Sequence, residues 1–317
     1  MISNEQMQSW CRELLAGRDA NPDLALADYV NAVGGLDSLS DVPRGTAVLV
    51  RGDVDAKPGD QVGEGDIRLR SMLESLQFGR GQGWKQVIFG HIGRKPEGSL
   101  AKVADRLGDL LDAKVPLLDN WWDESAAEIP VAIAEIITKA EPGAVFVLEN
   151  TRKYEIERVL WKAQPDDLPQ LAPRLARFAN QLSERVARVY VNEALSAGSL
   201  DASSTVVPLA MDRVALGKYV ASEFTGPMMR CLETELVVFS GLKIDKLDDL
   251  EAMVSRGKIR HVFAAGSLAM ALRKAIGELD GHDVCIGAAE DPTHAGKPYY
   301  IPHERIDQAK QMVAEGR

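Results

Sequence analysis

Two aspartates, a histidine and two arginines stand just past short apolar runs, where the side chains of a buried sheet meet a ligand. Val48-Leu49-Val50 leads into Arg51-Gly52-Asp53-Val54-Asp55, and Val87-Ile88-Phe89 into Gly90-His91-Ile92-Gly93-Arg94. Val145-Phe146-Val147-Leu148 leads into Glu149-Asn150-Thr151-Arg152, and Val189-Tyr190-Val191 into Asn192-Glu193. His91, Arg94 and Arg152 can each offer N–H donors with positive charge. In a chain of net charge −10, cations gathered at one place point to a small anionic ligand, a phosphate or a carboxylate.

The elements that must hold these groups follow from the pattern. Runs this short and rich in β-branched residues, separated by helical stretches, read as buried parallel strands. Ligands of an open parallel sheet bind beyond the carboxyl ends of its strands, so the four clusters converge on one crevice. Helices are expected at 6–16, 67–78, 100–111, 131–140 and 171–186, with residues 79–83 as a glycine-rich exit. Residues 1–40 read as an N-terminal extension, an appendage to a substrate domain over 41–215. A second unit, 216–317, offers two strands, Leu236-Val237-Val238-Phe239 and His261-Val262-Phe263-Ala264, and helices at 247–254, 268–276 and 304–314. Two strands are few for an independent α/β domain. The fold class expected is α/β, a parallel-sheet Rossmann-like N-terminal domain with an incomplete second α/β domain.

Several functions are disfavoured. With 37 Lys and Arg against 47 Asp and Glu, the chain is a poor general binder of nucleic acid or of membrane surfaces. Cys11, Cys231 and Cys285 are far apart, an odd and sparse set that fits a reducing compartment. The first residues lack a basic start followed by an apolar core, and no run approaches the roughly 18 apolar residues of a membrane span. A cytoplasmic protein is expected. There is no Walker A loop, no GxGxxG and no HExxH, and the five histidines have no metal-ligand spacing, so no metal site is assigned.

Taken together, the strand-end clusters resemble the phosphoglycerate kinase family. Residues 48–55 look like its VLVRxDFN, and Gly65-Asp66-Ile67-Arg68-Leu69-Arg70 like its DDTRIR. His91-Ile92-Gly93-Arg94 looks like HLGR, Leu148-Glu149-Asn150-Thr151-Arg152 like LENTR, and Tyr190-Val191-Asn192-Glu193-Ala194 like YVNDA. Ser203-Ser204-Thr205 looks like the AST that follows. In the second unit Ser240-Gly241-Leu242-Lys243-Ile244 resembles GGAKV more faintly. The resemblance implies a two-domain hinge enzyme with phosphoglycerate on the first domain and MgATP or MgADP on the second, working by positioning and charge stabilisation. By the same resemblance Arg68 is the catalytic arginine. His91, Arg94 and Arg152 are substrate-binding, Asp53 meets the substrate hydroxyl, and Asp55 replaces an asparagine beside it. Lys243 and Gly241 are nucleotide-binding.

The chain departs from the family in two places. Where the family has GTAHRAHAST, this chain reads Ser196-Ala197-Gly198-Ser199-Leu200-Asp201-Ala202-Ser203-Ser204-Thr205, without the arginine and two histidines. The likeness also runs out near the last helix, before the family's final nucleotide-domain strands. The function expected is therefore binding of a small phosphorylated metabolite, a phosphorylated carboxylate or an acyl phosphate, with ATP-dependent phosphoryl transfer lost or impaired. One alternative is an active phosphotransferase completed by oligomerisation or a partner, and another an acyl-phosphate hydrolase or acyl transferase. A homo-oligomer is expected to cover the incomplete second sheet, and residues 155–170 are the expected source of altered specificity.

Overall fold

The computed structural model describes residues 1–17, 26–59, 65–195, 200–255 and 258–315. The strands, in chain order, are β1 Ala47–Gly52, β2 Lys85–Phe89, β3 Leu117–Leu118, β4 Val145–Leu148, β5 Val189–Glu193, β6 Arg213–Leu216, β7 Leu236–Phe239 and β8 His261–Ala264. The helices of the first unit are α1 Asn4–Ala16, α2 Leu26–Val33, α3 Ile67–Ser71, α4 Leu73–Gln82, α5 Ala101–Leu111, α6 Val131–Lys139, α7 Leu168–Arg185, α8 Ala202–Thr205 and α9 Lys218–Thr225. The second unit holds α10 Pro227–Glu233, α11 Lys246–Val254, α12 Gly266–Leu279 and α13 His303–Ala314. The two compact units are Met1–Thr225 and Gly226–Arg317.

In the first unit six strands form one parallel sheet in the order β3-β4-β2-β1-β5-β6. Both faces are covered, which is why its strands read as unbroken apolar runs rather than alternating ones. Leu49, Phe89, Phe146 and Tyr190 point to one core with α1, α6 and α7, while Val50, Ile88, Val147 and Val191 point to another with α3, α4 and α5. The chain winds from β1 through β2 to β4 on one side, then restarts at β5 on the other. Strand order reverses beside β1, and the crevice beyond its carboxyl end is the switch point where such sheets take ligands.

The described residues of 1–40 are packed into the first unit rather than appended to it. Met7 and Cys11, four residues apart on α1, are fully buried in the core that α7 builds. Asn180 closes a two-bond clasp on the Ile2 backbone, and Trp10 Nε1 donates to the Thr205 carbonyl at 2.7 Å. Leu36 and Leu39 fill the opposite core, and Gly35 bridges to Leu216 of β6. Amphipathic spacing identified α1 but not its partner.

Three further expectations differ in detail. The helix after β1 breaks at Met72, where the amide turns to Leu69 in a tighter 3-residue bond, and then runs on to Gln82. Only Gly83 is an exit, its φ of 73° ending α4 in the left-handed region that glycine tolerates. β3 and β6 are edge strands too short to announce themselves, and α9 carries the first unit on to Thr225 rather than to 215.

Among its described residues the second unit has one two-stranded parallel sheet, β7-β8, packed on α11, α12 and α13. Val237, Phe239 and Ala264 face that core. No helix among the described residues is long and apolar enough to cross a membrane.

Candidate functional site

The crevice is built from four strand ends and α8. Arg51, next to last in β1, is 1% exposed, and a buried guanidinium must find acceptors for its five N–H groups. Its Nε donates to Ser203 Oγ and Ser204 Oγ, both at 3.0 Å, and Nη1 to the Gly52 carbonyl at 2.8 Å. Gly90 makes room for it, since a Cβ there would lie 2.7 Å from Arg51 Nη1 and 2.8 Å from the Gly52 oxygen. Nη2 lies 3.0 Å from His91 Nδ1. A guanidinium only donates, so Nδ1 accepts and the imidazole proton sits on Nε2.

His91 is therefore not one of the cations. Burial pushes its pKa down to about 3, and Arg51, Arg152 and Arg68 push the same way. The ring is neutral through the physiological range. A histidine beyond a strand gives no sign in the sequence of how many arginines surround it.

Arg152 is buried too, and it faces Asp201. Its Nη2 lies 3.0 Å from Asp201 Oδ2 and 3.4 Å from Oδ1, while Nη1 donates to the Gly93 carbonyl at 2.7 Å. Trp161 Nε1 donates to Asp201 Oδ1 at 2.8 Å, and its ring lies 4.7 Å from the Arg152 guanidinium carbon. Arg51 Nη2 stands 3.8 Å from Asp201 Oδ2. Asp201 is fully buried, and its carboxylate neutralises part of a pair of arginines that would otherwise repel each other. Glu157 lies behind it, accepting from Ser203 N, Ser203 Oγ and Thr151 Oγ1. Burial and then Asp201 raise its pKa, against the pull of Arg51.

Arg68 stands at the open side, where its Nη1 lies 3.3 Å from Asp53 Oδ1 and 4.0 Å from Asp55 Oδ2. Asp55 also accepts from Gly93 N at 2.9 Å, so it ties the two strand-end loops together. Asn150 does the same from β4, accepting from Ile92 N and donating to the Gly98 carbonyl at 2.9 Å. Arg94 is exposed and makes no ion pair among the described residues. Thus His91 and Arg152 are brought together, Arg68 joins Asp53 and Asp55 nearby, and Arg94 stays in solvent. Among the described residues three arginines (51, 68, 152) face three aspartates (53, 55, 201), so the crevice is close to neutral rather than cationic.

In the second unit the strand-end turn is tightly laced. Ser267 donates from N to the Gly241 carbonyl at 3.0 Å and from Oγ to the Leu242 carbonyl at 2.7 Å. Gly241, at φ 140°, and Gly266, at φ 62°, approach so closely that a Cβ on Gly266 would lie 2.1 Å from the Gly241 oxygen. Lys243 is exposed beside this turn. Among the described residues no cluster of His, Cys, Asp or Glu is arranged to hold a metal ion.

Arg51, Asp201, Glu157, Ser203 and Trp161 were not assigned to the site by sequence. One signal was available for Arg51, because an arginine inside an apolar strand run requires a buried counter-ion. Residues 196–199 of the divergent segment lie outside the described residues.

Comparison with known proteins identifies the lineage. The family model for phosphoglycerate kinase matches residues 39–317. Phosphoglycerate kinase of Zymomonas mobilis is 30% identical over 262 residues, covering 79% of this chain and 59% of that protein. That of Salinibacter ruber is 29% identical over 299 residues, covering 88% and 65%. The solved phosphoglycerate kinase of Pyrococcus horikoshii has the same fold, with a TM-score of 0.66 at 21% identity over 89% of this chain and 65% of that one. The chain spans about 60% of the length of the curated relatives it matches. With its matched region running from the approach to β1 through both units, the chain belongs to the phosphoglycerate kinase family.

Proposed function

We propose that the first unit binds a small phosphorylated carboxylate or acyl phosphate at the mouth of the crevice, through Arg68 and Arg94. ATP-dependent phosphoryl transfer to that ligand is lost or impaired. The relatives are phosphoglycerate kinases, which supports a phosphorylated metabolite as ligand. One observation carries the rest: Arg51, Arg68 and Arg152 each already face a carboxylate of their own chain, and His91 is neutral. An arginine that stabilises a phosphoryl group in flight works by uncompensated charge, and Asp53 and Asp55 reduce that charge at Arg68. Each charge-assisted bond not made to the ligand forgoes about 1.5–3 kcal/mol.

Calorimetric titration with 3-phosphoglycerate is expected to give saturable heat in the wild type. Arg68→Ala and Arg94→Ala should each weaken binding by about 1.5–3 kcal/mol, roughly 10- to 150-fold. Identical binding by all three proteins overturns the reading. Saturable MgATP heat accompanied by turnover of 3-phosphoglycerate would instead establish the alternative, a working phosphotransferase.

Self-association is proposed with it. On the face of β7-β8 turned away from its core, Leu236, Val238 and Phe263 are 53%, 64% and 63% exposed. Among the described residues each strand pairs on one side only, and a second copy of the chain offers the same edge and the same apolar face. Light scattering is expected to give a dimer or larger, and a monomer at tens of micromolar would refute it.

A further inference from the structure

Donors from three segments of the chain converge on the buried Asp201 carboxylate. Its two oxygens receive Arg152 Nη2 at 3.0 and 3.4 Å and Trp161 Nε1 at 2.8 Å, while Arg51 Nη2 stands 3.8 Å and the neutral His91 Nδ1 3.4 Å from Oδ2. Charged and neutral donors from β1, from the loop after β4 and from the segment before α7 thus converge on one carboxylate with no solvent exposure. The residue's place in the chain makes this use of it unusual. Asp201 is the N-cap of α8, where an aspartate ordinarily accepts a backbone amide of the first turn. Here the side chain makes no cap bond: Ser203 N donates to Glu157 Oε2 at 2.9 Å and Ser204 N to the Asp201 backbone carbonyl at 3.0 Å. The carboxylate has been given to the arginines.

We infer that Asp201 is the resident anion of a cage formed by Arg51, Arg152 and Trp161, and that it closes this inner subsite to the phosphate or carboxylate of a ligand. An external phosphate would have to displace the carboxylate or sit against it as a like charge in a desolvated space. Ligand contacts are therefore confined to the outer cations, Arg68 and Arg94. Asp201 is the specificity-determining residue, weakening ligands that need an anionic contact in the inner subsite. The inference deepens the proposed ligand site and rests on that reading for its consequence, while the cage itself is tested independently.

The test is anion rescue. Asp201→Ala removes the carboxylate and leaves the cage, so formate and inorganic phosphate are expected to raise the variant's melting temperature in a saturable way. The wild type should respond at least tenfold more weakly to either anion. No response in Asp201→Ala up to 100 mM of both anions overturns the inference. Should the variant fail to fold alone, its refolding yield with and without formate becomes the readout, and equal yields overturn the inference. The wild type gives a further check through Trp161, isolated by subtracting the fluorescence of Trp161→Phe. A saturable signal with inorganic phosphate would mean that phosphate enters with Asp201 in place, which also overturns it. Titration with 3-phosphoglycerate separates the two readings. If Asp201→Ala gains at least tenfold in affinity, both stand. If it accepts formate but neither protein binds 3-phosphoglycerate, the ligand reading falls and the cage remains. If the wild type binds and Asp201→Ala binds no better, the cage has no part in specificity and the inference falls.

Discussion

Glu193 shows how a single buried group ties the crevice to stability. It ends β5 and accepts Ser75 Oγ at 2.6 Å, Tyr219 N at 3.1 Å and Val220 N at 3.4 Å, so it anchors the start of α9. Burial nevertheless outweighs these bonds and pushes its pKa up to about 7 from 4.5. The folded state then holds a proton on Glu193, between pH 4.5 and 7, that the unfolded state has released. Its contribution is complete below pH 4.5 and is lost as pH rises through 7, at up to about 1.4 kcal/mol per pH unit. His91 acts in the opposite sense: its folded pKa is depressed from 6.5 to about 3, so its contribution is complete above pH 6.5 and lost on acidification. Glu193→Gln keeps the shape and removes only the first effect. Denaturant unfolding of both proteins from pH 5 to 7 is expected to favour the variant by about 1–3 kcal/mol more at the upper end than at the lower. Parallel curves would show that Glu193 is ionised in the folded protein.

At the scale of elements, legibility followed the range of the interaction. β1, β2, β4 and β5 were readable because a strand covered on both faces must be apolar at every position, and α5 because Val103, Leu107 and Leu111 repeat at helical spacing on its buried face. β3 escaped because two residues carry no period, and the burial of α1 because its partner α7 lies more than 150 residues away. The crevice was readable in the same degree. Strand ends located Asp53, His91 and Arg152, since the sheet alone decides where they lie. Nothing local could show that Asp201 would turn inward from α8, or that Trp161 would fold back over Arg152 from residues 155–170. Those contacts reverse the electrostatic expectation, since a cluster read as cationic becomes nearly neutral once its counter-ions arrive from distant segments.

At the scale of the whole molecule, the two units differ in how much core each owns. The first covers both faces of a six-stranded sheet with large side chains, among them Trp84, Trp121, Phe89 and Phe178, all nearly inaccessible to solvent. Among the described residues the second packs one face of a two-stranded sheet around Leu247, Leu250, Leu268, Ala275, Ala309 and Met312. Stability rises with buried apolar surface, and separate cores lift the condition for all-or-none unfolding. Calorimetric unfolding of the full chain is therefore expected to show two transitions, the second unit melting first. Leu250→Ala opens a cavity in that smaller core and should cost it about 2–5 kcal/mol, lowering the first transition alone. Leu49→Ala, in the first unit's core, should lower only the later one. A single transition displaced as a whole by either substitution would mean that the two cores unfold as one cooperative body.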